Sequence, residues 1–211
     1  MSIQQMMIGV GSAASPIEER ISQRAEAINT VAGGPVTLLW PATPIVGNLL
    51  VIGVTAAAGG TNVTAPAGWN RTNGTTGTAI FWKFAEAGEP SSVNFSISAG
   101  RSQAFGAEFS GIVGPDAAAP SNGTGASVST GAMPVLAVAN SLIVALYTQT
   151  GSGTFTALGQ GQTEINQIAA GTVNFGMMAF KIVDVTTQVN YTCTGIALQT
   201  WRTYVQGFSG N

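Results

Sequence analysis

Four short segments of this chain recur, in the same order, in its second half, and that repetition limits the folds open to it. Asn48-Leu49-Leu50-Val51-Ile52 resembles Asn140-Ser141-Leu142-Ile143-Val144, and Trp82-Lys83-Phe84-Ala85-Glu86 resembles Phe180-Lys181-Ile182-Val183-Asp184. Val93-Asn94-Phe95-Ser96-Ile97-Ser98 matches Val189-Asn190-Tyr191-Thr192-Cys193-Thr194, and the stretches from Phe105 to Gly111 and from Tyr204 to Gly210 both end in Phe-Ser-Gly. The third pair alternates: Val93, Phe95 and Ile97 point one way, Asn94, Ser96 and Ser98 the other, and Val189, Tyr191 and Cys193 repeat the pattern. A period of two is strand periodicity with one buried face, as in antiparallel sandwiches.

The expected fold is therefore an all-β, jelly-roll-like antiparallel β-sandwich built from two repeated halves, about residues 36–112 and 126–211. Neither half has a helix to cover its apolar face, so the halves are expected to share one strand order and one core. The Ala-, Ser-, Gly- and Thr-rich stretch from Ala117 to Met133 reads as a crossover within one domain, or else as the linker between two small β-domains; the first is favoured because a half of about 80 residues alone would leave large apolar areas exposed. Residues 1–32 form a separate arm and helix ahead of a sandwich over 33–211. The helix is expected over Ser15–Asn29. Ser15-Pro16-Ile17-Glu18 has the form of a capping box with proline at the first helical position, and Ile17, Ile21, Ala25 and Ile28 recur at helical spacing.

The chemistry inventory excludes more than it offers. There is no histidine, which removes the commonest general base and metal ligand. Cys193 is the one cysteine, so no internal disulfide forms, and its phase in the repeat marks it as a small buried hydrophobe. Glu86 and Glu89 are the closest carboxylates within the sandwich and read as a solvated turn rather than a glycosidase pair. Six Asn-X-Ser/Thr triplets follow from composition. No catalytic, cofactor-binding or metal residue is identified, and no enzymatic activity is expected. Trp69, after the turn at Pro66-Ala67-Gly68, is the best candidate for a sugar-stacking platform, with closure of the core as its plainer role.

Charged residues make up 8% of the chain, against a usual share of roughly 25%. The few cations are scattered, giving no electrostatic footprint for nucleic acid. Thr30 to Asn70 carries no charge at all, but Pro35, Pro41, Pro44 and Asn48 interrupt it, so no membrane span is expected. Met1 to Ser15 lacks the basic start and apolar core of a signal peptide. A surface this neutral is expected to be covered by neighbours in an assembly, with a low-charge secreted β-protein as the alternative.

Two stretches carry a resemblance. The opening Met1-Ser2-Ile3-Gln4-Gln5-Met6-Met7-Ile8-Gly9-Val10-Gly11 resembles the start of many structural proteins of tailed phages. Ala65-Pro66-Ala67-Gly68-Trp69, Ala85-Glu86-Ala87-Gly88-Glu89-Pro90 and Phe109-Ser110-Gly111 together are similar to a β-sandwich module of phage head and tail proteins and some bacterial surface proteins. The Pro-x-Gly-Trp element is lost in the second half. The resemblance implies a virion structural protein, made in the host cytoplasm and placed on the particle surface: a capsid decoration or cement protein. Its docking residues would be Ile3, Met6, Met7, Ile8 and Val10, its partners the major capsid protein or other virion subunits, and its own state a homo-oligomer, with a trimer favoured. No cofactor, nucleic acid or membrane is expected. The alternatives are a tail or fibre-adaptor protein and a carbohydrate-binding module that contacts a host glycan.

Overall fold

The computed structural model describes residues 21–56, 62–72, 77–151, 153–168, 174–184, 186 and 188–210. These residues form strands and connecting turns, with no helix among them. In the first half the strands are β1 (Ile21–Asn29), β2 (Val36–Leu39), β3 (Leu49–Ala56), β4 (Val63–Thr64), β5 (Asn70–Arg71), β6 (Thr78–Phe84), β7 (Ser92–Ile97) and β8 (Ser102–Phe109). The second half contains β9 (Ile112–Thr124), β10 (Ser127–Ser129), β11 (Ser141–Thr150), β12 (Thr163–Ile168), β13 (Asn174–Val183), β14 (Thr192–Thr194) and β15 (Thr200–Gly210).

Strand order repeats as the sequence repeats. The first half has a five-stranded sheet β1-β8-β3-β6-β5 and a three-stranded sheet β2-β7-β4; the second has β9-β15-β11-β13-β12 and the pair β10-β14. A bridge between Thr156 and Thr194 stands where β4 pairs with β7. In antiparallel ladders β1 pairs with β8, β2 with β7 and β3 with β6, and correspondingly β9 with β15, β10 with β14 and β11 with β13. That is a long hairpin rolled on itself, the jelly-roll wrapping, and each half completes it.

The two five-stranded sheets face each other. Leu49, Val51, Ile80, Phe105 and Phe109 pack there against Leu142, Val144, Leu146, Met178 and Phe180. Reciprocal contacts mark a local twofold relation: Phe109 meets Phe180 edge-on at 5.3 Å, and their repeat counterparts Phe208 and Trp82 meet at 5.8 Å. Near the middle, a Cβ built on Gly53 of β3 would lie 2.7 Å from Leu146 Cδ1 of β11, so the absence of a side chain allows the central strands to approach.

The shared core is therefore present, but it is not the whole of the interior. Each half also buries the other face of its large sheet beneath its own small one. Leu50, Ile52 and Phe81 pack on Val36, Leu38 and Phe95 in the first half. In the second, Ala145, Tyr147 and Met177 pack on Val128 and Cys193, and Ile143 and Val205 pack with Tyr191. Strands β3 and β11 are thus covered on both faces, which is why they read as unbroken apolar runs rather than alternating ones.

The helix expected over Ser15–Asn29 is corrected where it is described: Ile21–Asn29 is strand β1, while residues 15–20 lie outside the described residues. Gln23 to Asn29 pair in register with Glu108 to Ser102 of β8. Without that ladder β8 would present a row of backbone groups with no partner, a larger cost than a capping box recovers. Burial follows a period of two: Ala25 is covered, Ser22, Arg24 and Glu26 are exposed, and Ile28 of the supposed apolar stripe faces solvent. The expected crossover is corrected in the same way. Most of it is strand, because β9 lies along β15 from Thr124 to Ile112. Each repeat thus begins at its own first strand, Ile21 and Ile112, upstream of the matched segments.

Candidate docking end

The strands β8 and β15 finish at one end of the molecule, where only Ser110 and Gly111 separate β8 from β9. Ile21, opposite Phe109, opens β1 at the same end. Two loops close it: residues 40–48, leading into β3, and residues 130–140, leading into β11. Neither contains a charged residue, and both are spaced by proline, at Pro41, Pro44 and Pro134.

In each loop some apolar side chains are anchored and others are turned out. Trp40, Met133 and Leu136 are buried. Trp40 lies over Gly106, and Met133 and Leu136 lie over Gly207, where a Cβ would meet them at 2.7 to 2.9 Å. By contrast Leu39, Ile45, Val46, Val113, Val135 and Val138 are 41% to 66% exposed. Exposed aliphatic groups concentrated at one end are the mark of a contact surface.

A carboxylate holds each loop in shape, one buried and one half-buried. Glu108 on β8 is fully buried; its Oε1 accepts from the backbone N–H of Ile45 at 2.9 Å and from Asn48 Nδ2 at 2.6 Å, and its Oε2 from Gln23 Nε2. Gln23 then exchanges two bonds with the backbone of Ala42, at 2.9 and 3.1 Å. In the second half Gly207 takes the place of Glu108, and the carboxylate comes from β9. Asp116 Oδ2 accepts from the N–H of Ala137 at 2.9 Å, and Oδ1 from that of Ala117 at 2.7 Å. Three N–H donors satisfy the Glu108 carboxylate without a cation.

The expected docking residues Ile3, Met6, Met7, Ile8 and Val10 lie outside the described residues; in sequence they precede Ile21 at this end. The other candidates fall elsewhere. Trp69 is half-buried and meets Phe95 edge-on at 6.0 Å, so it seals the first half's core. Glu89 is no solvated turn residue: it is buried, with Oε2 2.8 Å from Lys83 Nζ, while Glu86 is exposed at 3.7 Å. Cys193 is buried on the same face of its segment as Tyr191, and burial pushes its thiol up to about 12. That holds it as an inert neutral thiol. Among the described residues no group of three or more His, Cys, Asp or Glu side chains is arranged to hold a metal ion.

The loop residues Ile45, Val46, Val135 and Val138 and their anchors Glu108 and Asp116 were not among the candidates drawn from the sequence. The sequence signal for Ile45 and Val46 is the uncharged, proline-spaced run through Thr30 to Asn70; the loop at 130–140 carries only its lack of charge and Pro134. Compared with protein-family models, with curated proteins and with solved structures, the chain matches none.

Proposed function

We propose that this chain is a non-enzymatic structural protein of a tailed-phage particle, a capsid decoration or cement protein that docks through its N-terminal arm together with the apolar end from which that arm departs. The observation that carries this reading is the pair of uncharged loops, each braced by a carboxylate and each turning aliphatic side chains outward. A free monomer gains nothing by stiffening loops that expose valine and isoleucine. A subunit that must meet a partner gains a preorganised contact.

Partial burial of each exposed aliphatic residue contributes roughly 1 kcal/mol. One copy would bind weakly, and a symmetric lattice or a homo-oligomer, with a trimer favoured, multiplies the effect. The partners are then the major capsid protein or other virion subunits. The glycan-binding alternative loses support because Trp69, its best stacking platform, is committed to the core.

The test is occupancy on purified particles carrying the chain, for wild type, a deletion of residues 1–14, and the double substitution Ile45→Ser with Val135→Ser. Both variants should keep wild-type thermal unfolding, the deletion should abolish attachment, and the double substitution should reduce it. Wild-type occupancy by the deletion variant would overturn the reading.

A further inference from the structure

Where the two halves meet along β1, the seam opens into a cleft of about 310 Å³. Ile21 and Arg24 line it from the first half, and Thr163, Phe180, Lys181 and Ile182 from the second. Arg24 Nη1 donates to the carbonyl oxygens of Glu164 at 3.0 Å and Ile165 at 3.4 Å, and Lys181 Nζ donates to that of Gln160. Among the described residues neither cation forms an ion pair; both described ion pairs belong to Lys83.

Lys83 is the repeat counterpart of Lys181, and the comparison shows what Lys181 lacks. Each lysine reaches a glycine of positive φ, Gly68 and Gly161, whose added Cβ would lie 3.9 and 3.6 Å from its Nζ. In the first half the ammonium is neutralised by Glu89. In the second, the residues between Asp184 and Val189 are Val185, Thr186, Thr187 and Gln188, so no carboxylate replaces Glu89. Asp184, the counterpart of Glu86, is exposed and makes no ion pair with Lys181 among the described contacts.

We propose that the seam cleft binds a carboxylate ligand, held between Arg24 and Lys181 with its apolar stem against Ile21, Phe180 and Ile182. The volume lies at the lower end for small-molecule sites. It suits a short carboxylic acid or one acidic side chain. Glu26 and Glu164, on the same strands as Arg24 and Thr163, keep the net local charge small, so recognition rests on directed N–H donors rather than long-range attraction. The carboxylate has two sources, a free acid or an acidic side chain, and the chain's own Glu18 and Glu19 precede Ile21 in sequence.

The full chain is titrated with glutarate and, separately, with an acetylated Ile-Glu-Glu amide, following the amide resonances of Thr163 and Lys181. Saturable shifts are expected, and Arg24→Gln and Lys181→Gln should each weaken binding about tenfold. Tighter binding of the peptide assigns the site to a polypeptide side chain, and equal binding to free acids. Binding seen only in the Glu18→Gln, Glu19→Gln double variant assigns it to the chain itself. Absence of saturable shifts in both wild type and that double variant, or shifts unaffected by Arg24→Gln and Lys181→Gln, would overturn the proposal.

Discussion

In the first half the loop before the long central strand is braced by Glu108 on β8, while in the second the brace is Asp116 on β9, the strand alongside. The position of Glu108 has become Gly207, and Met133 and Leu136 fill the space that glycine leaves. The small sheets differ as well: three strands in one half, two strands and a bridge in the other. What stays constant is the rolled strand order and the outward aliphatic residues of the end loops. The wrapping is set by alternation along the paired strands, whereas the polar brace needs only a carboxylate within reach of loop N–H groups.

The strongest challenge to this comparison is to the shared core. Phe109→Ala and Phe208→Ala should each destabilise the protein by about 3–5 kcal/mol. Because the two residues occupy equivalent positions in one core, denaturant unfolding of either variant should remain a single transition. Two resolved transitions would show that the halves unfold as separate units. The braces should be unequal. Glu108→Ala leaves three donors without their acceptor and should cost about 3 kcal/mol, against about 1 kcal/mol for Asp116→Ala, whose surroundings are only half-buried. Equal costs in equilibrium unfolding would remove the asymmetry.

A third difference appears at high pH. Burial pushes the Cys193 thiol and the Tyr191 phenol, both in the second half, up to about 12. Such groups favour the native state while protonated in both states. The unfolded chain loses the thiol proton from about 9.0 and the phenol proton from about 10.0, whereas the folded chain holds both until about 12. Stability should therefore fall across that window, by at most about 1.4 kcal/mol per pH unit for each group. Cys193→Ala should flatten the fall. Ile97 stands in the corresponding place in the first half, so Ile97→Val should leave the alkaline slope unchanged. The smallest effect belongs to the far end: Leu198, 88% exposed, should tolerate serine within about 0.5 kcal/mol and without loss of docking.

The parts of this fold that were legible in sequence are those where burial is one-sided. Val93, Phe95 and Ile97 alternate with polar residues and occupy the buried and exposed faces as their spacing implies. The repeat disclosed the common strand order for the same reason. Strand β1 is hidden because Ile17, Ile21, Ala25 and Ile28 satisfy helical spacing, while its state is decided by the edge of β8, where the partner of Gln23 is Glu108, 85 residues away along the chain. Strand β9 was hidden by its composition, since alanine, glycine and proline carry no strand signal of their own and β15 supplies the ladder. The two end loops show no periodicity, and their significance depends on which residues the bracing carboxylates turn outward.

Hydrogen–deuterium exchange of the free and particle-bound chain tests the proposed docking end most directly. Residues 40–48 and 130–140 should both gain protection on the particle, with little change at the opposite end around Leu198. Protection confined to that opposite end, or no change in either loop, would contradict the proposal.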